Sequence, residues 1–307
     1  MAEPLVVDVV RSGVAESEHL VDVAVIDEAG DLVAWAGDPE QPAAFRSSAK
    51  PLQARVSIEE GWRPPDARAM AIACASHNGE PEHVAAVRAV LEAAGLDETL
   101  LRCPADAPLY LPAAMGVREK APVFHNCSGK HAAMLAACKA AGWPLETYRD
   151  PEHPLQQAVA SIVGLVVGDV RARLVDGCGV PTFVAPLRAL ARGLLAIDGG
   201  AEAAAMRAHP FLVAGTERLD TDLMSAAPEV LIKGGAEGLA CVSVAGFGIA
   251  LKSRDGAARA RGPALLMVLE ELGVIESNLL PQHREPPVFG GGEVVGTLRA
   301  RGTVTRA

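Results

Sequence analysis

Short valine-rich runs at both ends of the chain enclose a middle in which apolar residues recur at helical spacing. Residues 5–10 and 20–26 read as strands, and the second leads through EAGD into LVAWAG, which predicts a hairpin with Gly30 in its turn. A helical pattern then runs to about residue 58, stops at the proline-bearing stretch 61–66, and gives way to the apolar run AMAIACA. Residues 81–94 predict a helix with Pro81 in its first turn and Gly95 at its end. Residues 109–116 form a short apolar segment. A second helix follows HNCSGKH, capped by Asn126 or Ser128 and stopped by Gly142. Helical patterns recur at 154–164, 184–195 and 201–208, and a further helix is capped near Asp220 or Thr221. Residues 170–175 read as a strand entering DGCGVPT, and KGGAEG at 233–238 reads as a turn. Strands at 239–245 and 247–253, a helix at 263–272 and an apolar segment at 293–298 close the chain.

This order, with sheet at both ends and helices in roughly 78–230, predicts one α+β domain over 1–307, an antiparallel sheet with packed helices. With half its residues apolar, the 307-residue chain can bury a sizeable core. A formal charge of -10 and a pI near 5.3, with no basic block, argue against a nucleic-acid partner. The start MAEPLVVDVVRSG lacks the pattern of a signal peptide, and no window has the length of a charge-free membrane span. A cytoplasmic protein is expected. Its six cysteines include no C-x-x-C pair, so free thiols are expected.

The candidate chemistry starts at FRSSAKPLQ. If Ser47 opens a helix, Lys50 shares its face three positions on, and a lysine held neutral can take the proton of a serine hydroxyl. The plain alternative is a capping serine beside a solvated lysine. Further polar groups are Ser76-His77-Asn78, Cys127 with Lys130 ahead of the alanine-rich helix, Asp176 with Cys178 among glycines, and Lys252 on a late strand. Lys233 competes with Lys252 for the role of second lysine, but its neighbouring glycines place it in the predicted turn.

The order S-x-x-K, S-x-N, then a late lysine is shared with penicillin-binding proteins and serine β-lactamases. FRSSAKPLQA, ACASHNGE, HNCSGKHAAML, DGCGVP, HPFLVAGTERLDT, KGGAEG and GIALKSRDG together resemble more closely the asparaginase II family of the Rhizobium etli type, over residues 45–256. The resemblance implies an L-asparagine amidohydrolase with a fold similar to serine β-lactamases and glutaminases, acting as a homodimer. It implies two catalytic serine–lysine pairs, Ser47 with Lys50 and Ser76 with Lys252. It also implies a zinc ion between Cys127, Lys130 and Cys178, with Asp176 beside it.

The residues can be weighed against these roles. Cys127 and Lys130 can face one point at a helix start, where the helix end favours a thiolate, but a lysine must lose its proton to bind a metal. Asp176 either meets the substrate amino group or serves as a turn residue. His77 and Asn78 either hydrogen-bond in the pocket or cap the next helix. Arg218 either takes the substrate carboxylate through its fork or pairs with Asp220. A glutaminase or a β-lactamase-like amidase is the alternative enzyme, separable by ammonia release from asparagine and glutamine and by penicillin hydrolysis. A non-catalytic amino-acid receptor would bind asparagine without releasing ammonia.

Overall fold

The computed structural model describes residues 2–307, and their contacts fall into two compact units. The first, the sheet unit, comprises residues 2–48, Val184–Leu195 and Asp222–Ala307. Its strands are β1 (Leu5–Arg11), β2 (Val14–Ile26), β3 (Leu32–Ala36), β4 (Pro42–Ala44), β7 (Leu231–Gly234), β8 (Leu239–Val244), β9 (Phe247–Ser253), β10 (Pro287–Gly290), β11 (Glu293–Arg301) and β12 (Thr305–Arg306). β5 (Ala172–Val175) and β6 (Pro181–Pro186) lie between them in sequence.

The main sheet runs β10-β11-β1-β2-β9-β8-β7, with β3 joined to β2 and β12 to β3, and every pairing in it is antiparallel. β2 is long enough to serve several partners: residues 14–21 pair with β1, while residues 23–26 lie between β3 and β9. β1 alternates buried and half-buried positions, the pattern of a strand with one face on the core. β8 is buried at every position, so its apolar run LACVSV covers both faces. The helix Arg261–Glu271 packs on β1, β9 and β11.

The helical unit comprises Ala49–Phe183 and Ala196–Thr221. Its principal helices are α1 (Lys50–Glu59), α2 (Ala67–Ala73), α3 (Pro81–Ala93), α4 (Leu111–Met115), α5 (Ser128–Ala141) and α6 (Pro154–Val167). α5 packs against α1, α2 and α3 and is buried from Ser128 to Cys138. Its small side chains permit that enclosure. At Gly129 a Cβ would stand 2.1 Å from the Ile72 carbonyl oxygen, so only glycine allows α5 to come this close to α2.

The α+β class with an antiparallel sheet agrees with the sequence pattern. Several local expectations differ. AMAIACA forms most of α2, and residues 109–116 contain the short helix α4. Residues 184–186 are not helical; they end β6, where they pair with β4. Lys233 lies in β7 opposite Cys241 and is fully buried, so the turn begins after the lysine.

Candidate active site

Within the helical unit, Lys50 begins α1 and Pro51 follows it in the first turn, where a missing backbone N–H costs nothing. Lys50 is 1 % exposed. Its Nζ contacts the Ala75 carbonyl at 2.5 Å, Ser76 Oγ at 2.9 Å and the Asn126 carbonyl at 3.3 Å. All three partners are neutral oxygens. As an ammonium the lysine donates three hydrogen bonds. As an amine it donates to the two carbonyls and turns its lone pair to the serine O–H, which makes it a base for that hydroxyl.

Ser76 follows the end of α2 in a stretch pinned by its backbone. Ser76 N donates to the Val213 carbonyl at 2.9 Å, His77 N to Asn126 O at 3.2 Å and Asn78 N to Ala214 O at 2.8 Å. The Asn126 carbonyl therefore serves both this stretch and Lys50. His77 is fully buried with both ring nitrogens engaged: Gly79 N donates to Nδ1 at 3.1 Å, leaving Nε2–H to meet Ser128 Oγ at 3.0 Å. Burial, then His83 and Lys50, hold its pKa well below the ordinary histidine value, so the ring is neutral. Asn78 receives Arg218 Nη1 on Oδ1 at 2.8 Å. Arg218 thus meets Asn78, and its side chain is only half-buried.

Cys127 is the N-cap of α5 and Lys130 lies in its first turn, while Cys178 follows β5. Neither Asn126 nor Ser128 caps this helix through its side chain. Lys130 Nζ donates to Cys178 Sγ at 2.9 Å, and both groups are buried. Hydrogen bonding with Cys178 lowers the Cys127 pKa well below the usual thiol value against the effect of burial, with help from Lys50 and Lys130. Burial works against the Lys130 charge, but the sulfurs of Cys178 and Cys127 outweigh it and raise the pKa. His131 is beside this group. The hydroxyl of Tyr148 lies 2.6 Å from its Nδ1, and its buried Nε2 has no hydrogen bond of normal geometry. Burial and then Lys130 push the His131 pKa down to about 4.

This arrangement corrects the zinc expectation at Cys127, Lys130 and Cys178. Among the described residues, no group of three or more His, Cys, Asp and Glu side chains could hold a metal ion. The residue needed to complete the proposed set is a lysine that keeps its proton and has no lone pair to offer. The cluster is a buried ammonium–thiolate group, and the metal-binding assignment falls with the zinc. Asp176 is half-buried in the turn after β5, with its Oδ1 accepting from Gly177 N at 2.8 Å, and it adds to the negative charge felt by Lys130.

The remaining predicted residues lie in the sheet unit. Ser47 is half-buried in the 3-10 turn Arg46–Ala49, and Ser48 beside it is buried, donating from Oγ to the Lys233 carbonyl at 2.8 Å. Lys252 is half-buried on β9 opposite Asp22, and its Nζ donates to the Ser253 carbonyl. Burial lowers its pKa, with Glu237, Asp255 and Asp22 opposing. The structure thus brings together Lys50, Ser76, His77, Asn126, Cys127, Lys130 and Cys178, and separately Asn78 with Arg218. Sequence reasoning missed the Asn126 carbonyl, His131, Tyr148 and Glu80. HNCSGKH and SHNGE contain three of these, but nothing around Tyr148 marks it.

Among the described residues no helix is long and apolar enough to cross a membrane. The family model described as L-asparaginase II matches residues 7–300. No curated protein matches the chain.

Proposed function

We propose a serine–lysine mechanism on the premise that the chain belongs to the asparaginase II family and is an amidohydrolase that hydrolyses L-asparagine. The contact of Lys50 Nζ with Ser76 Oγ at 2.9 Å, among neutral acceptors, carries this reading. Ser47, the serine of the S-x-x-K order, is assigned as nucleophile and Lys50 as its base. The serine oxygen bonds to the side-chain carbonyl carbon of asparagine. Collapse of the tetrahedral adduct then breaks the carbon–nitrogen bond, and the proton held by Lys50 passes through Ser76 to the departing ammonia. Water hydrolyses the aspartyl ester and restores the serine. Lys252 is assigned by its motif as the second lysine and acts on the leaving group's proton.

Asp176 is assigned to the substrate's α-ammonium and Arg218 to its α-carboxylate. His77 and Asn78 hold Ser76 and Arg218 in place. A cytoplasmic location is supported by six free cysteines, all buried. A homodimer is inferred from the family resemblance, and light scattering that gives a monomer mass at assay concentration would remove it.

Ser76 as nucleophile is the second reading, because the same contact makes Lys50 its base. Mixing substrate with the parent, Ser47→Ala and Ser76→Ala, quenching rapidly and weighing the chains decides between them. An aspartyl adduct on the parent and Ser76→Ala alone supports Ser47, whereas an adduct that survives in Ser47→Ala reverses the roles.

A further inference from the structure

We propose that Glu80 is a positioning residue for substrate recognition: its buried carboxylate fixes which end of the Asn78 amide meets Arg218, and so aims the guanidinium at the α-carboxylate of asparagine. The inference rests on the assignment of Arg218 to that carboxylate.

Glu80 is buried at the N-cap of α3. Its Oε1 accepts from Thr216 N at 2.9 Å and from Asn78 Nδ2 at 3.2 Å, and its Oε2 accepts from Thr216 Oγ1 at 2.7 Å. Asn78 Nδ2 also donates to the Thr216 carbonyl at 2.9 Å. Both amide hydrogens are thereby committed to acceptors. Only one orientation of the amide satisfies them, and it leaves Oδ1 as the acceptor for Arg218 Nη1 at 2.8 Å. The reverse orientation would set an amide oxygen against a carboxylate and a carbonyl, and N–H groups against a guanidinium.

The backbone around this network is equally constrained. At Gly215, with φ +114, a Cβ would stand 2.4 Å from Glu80 Oε1 and 2.8 Å from Asn78 Nδ2. No side chain fits there. Glu217, between Thr216 and Arg218, has φ +61, a left-handed conformation that persists in a non-glycine residue when its surroundings hold it. The two bonds from Thr216 to Glu80 supply that hold on one side. Burial disfavours the Glu80 charge, but the Thr216 and Asn78 donors more than offset it and lower the pKa, so the acceptor is a carboxylate at neutral pH. One arm of the Arg218 fork is oriented by Asn78, and Nε and Nη2 remain to meet a carboxylate.

Glu80→Gln tests the proposal, because glutamine replaces one acceptor with a donor and lets the Asn78 amide turn. The expected result is a rise of about tenfold in KM for asparagine with kcat within about twofold. KM for β-alaninamide, which is asparagine without its α-carboxylate, should not change. In an Arg218→Ala background the same substitution should add nothing to KM. If Glu80→Gln raises KM equally in both backgrounds, or lowers kcat on both substrates, the positioning role is overturned. If Arg218→Ala itself leaves KM for asparagine unchanged, the carboxylate assignment fails and takes the proposal with it. Thr216→Val, which removes only the hydroxyl donor to Oε2, covers the case in which Glu80→Gln does not fold and should raise KM about threefold.

Discussion

Asp22 in the sheet unit and Lys50 in the helical unit are both shut off from solvent, at 0 % and 1 % exposure, yet their partners differ in kind. The Asp22 carboxylate takes both arms of Arg254, at 2.7 and 2.8 Å, together with the backbone N–H of Asp38 at 2.9 Å. Its charge is matched, and moving a proton onto it would break a bidentate pair. Lys50 meets two carbonyls and a hydroxyl, and among the described residues no carboxylate forms a salt bridge with it. One of those neutral oxygens is the hydroxyl of Ser76, 2.9 Å from its Nζ. A bidentate partner holds a buried charge in one place, whereas the oxygens that Lys50 contacts are neutral and the negative charge near it belongs to the sulfur of Cys127.

The largest expected consequence is at Lys50. Lys50→Met should lower kcat by about 10³-fold while urea unfolding shows a loss of no more than about 2 kcal/mol, since an apolar side chain of similar volume removes the desolvation cost of the ammonium together with its contacts. A variant that loses stability in step with activity would make Lys50 another structural charge. Next in size is the pH response of the helical unit. His131, at about 4 in the folded protein against 6.5 as the unperturbed value, binds its proton more readily when unfolded. Its contribution is therefore complete above pH 6.5 and is lost as pH falls towards 4, by about 3 kcal/mol. Urea unfolding at pH 7 and pH 4 should show a smaller acid loss in His131→Gln than in the parent, and equal losses would remove His131 as the cause. The smallest effect belongs to the sheet unit. Asp22→Asn should cost about 2 kcal/mol of unfolding free energy while kcat falls less than about threefold. A larger fall in kcat would show that this pair also serves the chemistry.

The strands at both ends, the hairpin at Gly30 and the alanine-rich α5 could be read from the sequence because periodicity and turn residues act locally. Residues 184–186 could not, since a short apolar run fits strand or helix until pairing with β4 decides. Lys233 was misplaced for a related reason: two following glycines resemble a turn, but β7 pairs with β8 through Lys233 and Gly234. At the site, spacing identified Ser47, Lys50 and Ser76 as candidates. The contact of Lys50 with Ser76 depends on the path of the chain between α1 and the end of α2, which no spacing rule supplies. Glu80 and Tyr148 gain their roles through burial and through partners far along the chain. The zinc expectation came from the resemblance, and the protonated Lys130 beside two thiols overturns it.

The two excursions of the chain out of the sheet unit, Ala49–Phe183 and Ala196–Thr221, set an order of events during synthesis. β1 and β2 leave the ribosome before either excursion, but β9 and β11, their partners in the main sheet, are made only after both excursions are complete, and the register joins Val6 to Arg301. The helical unit has all its residues available while β1 still lacks that neighbour. Helices packed through nearby contacts form quickly, and strands whose partners lie at the opposite end of the chain form slowly. The nascent sheet unit therefore waits with an open edge on β1 until β11 has been made, which makes the joining of β11 to β1, and not the packing of the helical unit, the step most exposed to misassembly and chaperone demand.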